Sequence, residues 1–228
     1  MFVEVDHGPF LVDNNLFLSP LSLLDMSQGG AYVHNLMAGR IPSRTEPRRS
    51  TPYHRAHSTA LAGLTSVVGG DNRFYNNVFI GSGAPPGPGG EAEANPLRFG
   101  GYGLWVYNHR EMPLQTGGNV YYNGARPYVE EDRPLSVSAV IPKPEIVEEA
   151  GRVYLRLNLA AELAKAPTRL VDTARLGKAK ISGLPYENAD GSPLVIDIDY
   201  FGKKRSPTAP SAGPFENPGT GELKLRVW

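Results

Sequence analysis

The sequence predicts an all-β chain: a right-handed parallel β-helix (a solenoid) with a loop-rich C-terminal cap containing a small β-sandwich-like piece. Three observations carry this. A short box returns four times, as Val12-Asp13-Asn14-Asn15-Leu16-Phe17-Leu18, Val33-His34-Asn35-Leu36-Met37-Ala38-Gly39, Tyr75-Asn76-Asn77-Val78-Phe79-Ile80-Gly81 and, more weakly, Gly118-Asn119-Val120-Tyr121-Tyr122-Asn123-Gly124. Asn15 to Asn35 is 20 residues, and the steps to Asn77 and Asn119 are 42 each. A period near 20 is that of a solenoid, in which each coil buries a stripe it could not bury alone. The 42-residue steps fit two coils each, or one coil carrying a large loop. Finally, one Asn per coil can form a ladder, each amide bonding to the next and to loop backbone.

In chain order, residues 2–18 read as two short strands either side of a corner at His7-Gly8-Pro9. Residues 19–39 repeat the plan, with a strand at Leu21–Met26, a corner at Gln28-Gly29-Gly30 and a strand from Ala31 to Leu36. Residues 40–57 read as a polar loop, rich in Arg at 40, 44, 48, 49 and 55, with Arg73 just beyond the next strand. Strand text resumes at Ser58–Val68, followed by a Gly69-Gly70 corner; 82–97 is expected to be a flexible loop and 102–107 a strand. Further on, Val137–Ile141 and Val153–Leu159 alternate as strands, joined by an acidic turn at Glu145–Gly151, and a short helical piece spans 160–165. Residues 172–228 are punctuated by Pro and read as loops, with strands only at Leu194–Tyr200 and Leu223–Val227 and a solvated turn at Lys203-Lys204-Arg205. The expected division is 1–128 for the coils and 129–228 for the cap.

Composition narrows the function. The chain of 228 residues is long enough for one solid core, and Gly (26) and Pro (21) suit many corners and no long helix. Net charge is zero, 23 basic against 23 acidic residues, so no electrostatic argument points to nucleic acid or an anionic membrane. Cys is absent, which excludes disulfides and thiolate chemistry. No apolar run is long enough to span a bilayer, and the first residues lack the basic and apolar regions of a signal peptide. The expectation is a soluble protein, with cytoplasm and periplasm both open. Phe2-Val3-Glu4-Val5 alternates as a strand with no polar lead-in. A solenoid normally covers its first edge, so the chain is expected to be the C-terminal part of something longer, or to meet coils of an oligomer partner.

Neighbouring coils of a parallel β-helix hold equivalent side chains about 4.8 Å apart. A retaining glycosidase needs two carboxyl groups about 5–5.5 Å apart, so adjacent coils supply that separation. The early acidic candidates are Glu4, Asp6, Asp13 and Asp25, with Asp6 at a corner beside His7 and aligned near Asp25 and Gln28. His34, Tyr53, His54, Arg55 and His57 form a second group able to hold sugar hydroxyls or stack on sugar rings. Each has a structural alternative: Asp6, Asp13 and Asp25 as corner caps, His34 as a stand-in where other copies have Asn14 and Asn76, and the loop histidines as solvated surface. No metal-ligand spacing and no phosphate-binding Gly loop occurs, so no cofactor is expected.

Several stretches resemble family 120 glycoside hydrolases. They are Phe2–Pro9 with Val12–Asn15, Ser27–Asn35, Thr51–Thr59, Gly69–Asn77, and the late Gly183–Asn188 and Asp199–Gly202. The resemblance runs over nearly the whole chain. It implies a right-handed parallel β-helix with an immunoglobulin-like accessory domain, and retaining β-xylosidase activity on xylo-oligosaccharides through an Asp nucleophile and a Glu acid/base. By motif the Asp falls on Asp6, with Asp13 and Asp25 in reserve. The Glu falls near the Ser-x-Gly-Gly corner, where this chain has Gln28. An amide cannot donate the proton that a leaving glycosidic oxygen requires. Either the acid comes from elsewhere, Glu46 being the nearest loop candidate, or the chain binds sugar without efficient hydrolysis. A third reading, a polysaccharide lyase, wants clustered Ca²⁺ carboxylates, and the carboxylates here are dispersed.

Overall fold

The computed structural model describes residues 1–83 and 100–228, so most of the loop expected at 82–97 lies outside the described residues. It is an all-β structure of small, mostly parallel sheets. Strands β1 (Phe2–Glu4), β2 (Phe10–Asp13) and β3 (Leu16–Phe17) make the first repeat, and β4 (Leu24–Met26), β5 (Gly30–Val33) and β6 (Leu36–Met37) the second. An antiparallel ribbon of β7 (Glu46–His54) and β8 (Leu61–Val67) follows. Then come β9 (Arg73–Tyr75) with β10 (Val78–Ile80), β11 (Gln115–Gly117) with β12 (Val120–Tyr122), and β13 (Leu135–Val137).

These pair in parallel in the orders β1-β4, β2-β5-β9-β11 and β3-β6-β10-β12-β13. Asp13 stands beside Val33, Val33 beside Tyr75 and Tyr75 beside Gly117, so all four boxes are in register. Each 42-residue step therefore adds one rung to these sheets, like the 20-residue step. The parallel stacking runs through Val137, past position 128.

In-register repetition stacks like on like. Tyr32 lies flat on Phe74 with ring centroids 4.7 Å apart, and Phe79 on Tyr121 at 5.2 Å, giving the interior aromatic columns. The box turn has a fixed grammar. Asn14, His34 and Asn76 each have φ 56°, and Gly118 has φ 69°, the left-handed conformation that Asn and Gly tolerate best. The next residue in each copy turns inward. Asn15, Asn35 and Asn77 each donate from backbone N and side-chain Nδ2 to the Oδ1 of the Asn one rung on, at 2.9 and 3.1 Å every time. Their amides also hold backbone carbonyls, Asn35 that of Val12 and Asn77 that of Tyr32. At the last rung Asn119 donates to Glu131, which also accepts from the Tyr121 hydroxyl.

Several local expectations are corrected. The polar loop at 40–57 contains β7, and the acidic turn at 145–151 is mostly strand β14 (Glu145–Glu149), paired with β15 (Arg152–Leu159). β7 belongs to an exposed two-stranded ribbon and β14 is the exposed edge of a three-stranded sheet, so neither carries the apolar alternation that marks a buried strand. Residues 102–107 hold a 3₁₀ turn, Leu104–Tyr107, after Gly103 at φ 89°. The 194–200 segment makes only isolated bridges, whereas β16 (Gly221–Arg226) pairs antiparallel with β15 near the predicted place. Arg205, expected in a solvated turn, is 2% exposed and donates to Asn14 Oδ1 at 2.6 Å. No helix among the described residues is long and apolar enough to cross a membrane.

Two outcomes follow from the ladder. Asn35→Ala leaves the Asn15 amides, the Val12 carbonyl and Asn77 Oδ1 short of partners. It is expected to cost about 3 kcal/mol, read from denaturant unfolding. Burial raises the Glu131 pKa to about 7. A raised carboxyl favours folding below the usual carboxylate pKa and loses that contribution as pH climbs toward 7. Glu131→Gln should therefore raise the unfolding midpoint at about pH 8 relative to the parent, an advantage that disappears near pH 4.

Candidate active site

The first repeat's opening corner forms the floor of a cleft of about 580 Å³. β1 ends at Glu4, and Val5 then takes φ 51°, a costly conformation for a β-branched residue. The turn it makes exposes Asp6, whose Oδ1 accepts from the Gly8 N–H at 2.9 Å. Gly8 has φ 61°, and a Cβ there would sit 2.0 Å from the Gly29 carbonyl oxygen, so the close approach of the two corners requires glycine. His7 lies beneath, 2% exposed, between Gln28 Nε2 and Thr51 Oγ1, each at 2.8 Å. Burial lowers its pKa.

The end of the β7–β8 ribbon is one wall, bringing Tyr53, His54, Arg55 and His57 to the cleft. The Tyr53 ring meets His7 edge-on at 6.2 Å. Arg55 N–H donates to the Ala60 carbonyl, closing the ribbon's turn. The opposite wall is the late segment carrying Tyr186, Glu187 and Asn188. His57 Nε2 reaches across to Glu187 Oε1 at 2.7 Å, an ion pair when the imidazole is protonated.

That late segment is pinned by a buried cation. Arg73, 1% exposed, pairs with Asp71 at 2.9 Å and donates to the carbonyls of Leu176 and Lys178. Its guanidinium stacks over Tyr186 at 5.1 Å, and the Tyr186 hydroxyl donates to the Gly29 carbonyl at 2.6 Å. Asp71 in turn accepts from the Lys180 N–H.

Of the residues picked out in the sequence, Asp6, His7, Tyr53, His54, Arg55 and His57 converge on the cleft. The others do not line it. Asp25 is 1% exposed and accepts from Ser27, Asn72 and Tyr107, and burial raises its pKa; it is an interior hub in register with Val3. Gln28 neighbours Asp6 across the rungs, donating its backbone N–H to the Asp6 carbonyl, but its side chain is enclosed behind His7. Asp13 accepts from Asn14 beside Arg205, and burial raises its pKa. His34 is a corner residue rather than a ladder member, fully enclosed, donating to the Gly213 carbonyl and accepting from Asn76. Glu46 lies far along the ribbon, opposite Val67. Missed were Tyr186 and Glu187, which sit within the Gly183–Asn188 stretch, and Arg73, whose place beside a box and an Asp was the available signal.

Against known proteins, one solved structure gives a full-length match: the complex of XylC with xylose. This chain is similar to XylC. The two are 36% identical with a TM-score of 0.88, over 100% of this chain and 37% of XylC. The chain thus spans little more than a third of that protein's length. No family model matches the chain, and no curated protein matches it.

Burial takes the His34 pKa down to about 3. A depressed base stabilises the fold above its usual pKa, and that contribution is lost as pH falls from about 6.5 toward 3. His34→Asn, the residue that Asn14 and Asn76 already place at this corner, should flatten the acid side of the unfolding free-energy profile. The parent slope attributable to His34 is about 1.4 kcal/mol per pH unit, opposite in sign to that of Glu131.

Proposed function

We propose that this chain is part of a retaining glycoside hydrolase-like protein of the β-xylosidase type, as in family 120. In this reading the parallel sheets are faces of a right-handed parallel β-helix that runs on past residue 128 through β13, and the residues after β13 form an accessory β cap. One observation carries it: Asp6 and Glu187, distant in sequence, are the two carboxylates lining the cleft among the described residues, in a chain similar to a xylose-binding structure over its full length. Asp6 attacks the anomeric carbon of a β-xyloside to form a glycosyl-enzyme. Glu187, hydrogen-bonded to His57, gives a proton to the leaving oxygen and then takes one from the incoming water. Tyr53, His54 and Arg55 hold ring and hydroxyls. Gln28 takes no proton-transfer role.

A second reading, sugar binding without hydrolysis, is favoured by Gln28, whose amide is fully engaged with backbone and His7. The two separate in one experiment: hydrolysis of an aryl β-xyloside and of xylobiose, beside xylose binding by calorimetry. Asp6→Asn is expected to lower turnover of both substrates at least about 10³-fold while the chain stays folded. Glu187→Gln should cost about 10²–10⁴-fold on xylobiose and much less on an aryl glycoside with a good leaving group. Xylose binding with no turnover in the parent supports the second reading. Turnover untouched by Asp6→Asn sinks the first.

A further inference from the structure

Behind Asp6 runs a buried chain of polar groups in which every hydrogen-bond direction is dictated. Gln28 Oε1 accepts from two backbone N–H groups, Val68 at 3.1 Å and Gly69 at 3.3 Å. A backbone N–H only donates, so the amide cannot be turned round. Its Nε2 therefore donates, to the Ser66 carbonyl at 3.2 Å and to His7 Nδ1 at 2.8 Å. With Nδ1 an acceptor, the proton of a neutral imidazole sits on Nε2 and goes to Thr51 Oγ1 at 2.8 Å. The Thr51 hydroxyl hydrogen is left for the Val5 carbonyl at 3.4 Å. That carbonyl belongs to the peptide joining Val5, at φ 51°, to Asp6.

We infer that Gln28, His7 and Thr51 are positioning residues: together they hold His7 as its uncharged Nε2–H tautomer and pin the strained Val5–Asp6 turn that presents the Asp6 carboxylate to the cleft. This rests on the reading of Asp6 as the nucleophile. The groups facing His7 are consistent with it. Tyr53 offers a ring edge and Thr51 a hydroxyl, while the backbone of Thr51, the Asp6 carboxylate and the backbone of Thr65 favour its protonation. Burial outweighs that pull. A protonated His7 would point an Nδ1–H at the Gln28 NH₂, donor against donor. A Glu at 28 would reverse this: one oxygen would keep the Val68 and Gly69 donors, and the other would accept from a protonated Nδ1. The amide at this corner thus keeps a positive charge away from Asp6.

The test is imidazole nitrogen NMR of the parent, Gln28→Glu, Thr51→Val and Thr51→Ser, with aryl β-xyloside kinetics. In the parent, His7 Nδ1 should report as an unprotonated acceptor and Nε2 as protonated at neutral pH. Gln28→Glu should carry protons on both nitrogens at neutral pH. Thr51→Val should lower kcat about 10- to 100-fold with KM within about twofold, and Thr51→Ser should restore it. A parent proton on Nδ1, a His7 titrating near 6.5, or Thr51→Val with unchanged kcat overturns the relay. Should the parent turn nothing over, the glycosidase reading fails separately. The relay is then decided by the His7 tautomer and by the Asp6 carboxyl carbon shift, which Thr51→Val must move and Thr51→Ser must not.

Discussion

One side-chain amide per rung, always donating in the same direction, is the constraint on which the rest of the structure depends. Asn15, Asn35, Asn77 and Asn119 satisfy the backbone of a turn that cannot pair with itself, since its preceding residue is left-handed. In a buried corner each unpaired N–H or carbonyl costs about 1–3 kcal/mol, so the ladder is the condition for burying the corner at all. It also sets register. Once the amides are in line, the strands on either side pair residue for residue, and aromatic rings fall one upon another. Because its bonds run one way, the row needs an acceptor oxygen at its far end. Glu131 supplies it, at the expense of a buried carboxyl.

The cleft is built differently. Its floor comes from the regular stack, but both walls are departures from it: the ribbon end at Tyr53–His57 and the strap at Tyr186–Asn188. Each wall is tied back by buried polar contacts. The ribbon is held through Thr51 to His7 and Val5, the strap through Arg73 to the Leu176 and Lys178 carbonyls. The His57–Glu187 contact then joins the walls to each other. Exposed groups that face the cleft are thus carried on backbone whose anchors are dry, which is how a surface site keeps its geometry.

The ladder and the boxes were legible because identical residues at fixed offsets leave a signal that needs no partner to be seen. Asp6, His7, His54 and His57 stood out in the text as polar groups at corners and in a loop, and they line one cleft. What was not legible depended on burial. Asp25 and His34 look like site residues in the text, and only their enclosure turns one into a hub for Ser27, Asn72 and Tyr107 and the other into a corner filler. Arg205 reads as solvated charge and Arg73 as one more Arg near a polar loop, yet each lies in the interior and docks a segment more than 100 residues away in sequence. The strands β7 and β14 were hidden for the opposite reason: mostly exposed, they carry no apolar rhythm.

A rung of 20 residues and a rung of 42 rise by the same single step along the sheets. Contour length and height are therefore independent in this chain. Sequence can be added to or trimmed from an insertion without moving any ladder Asn, so the excursions that wall the cleft can change while the frame they stand on stays in phase. A lineage can retune what the cleft admits and leave the fold's energetics almost untouched.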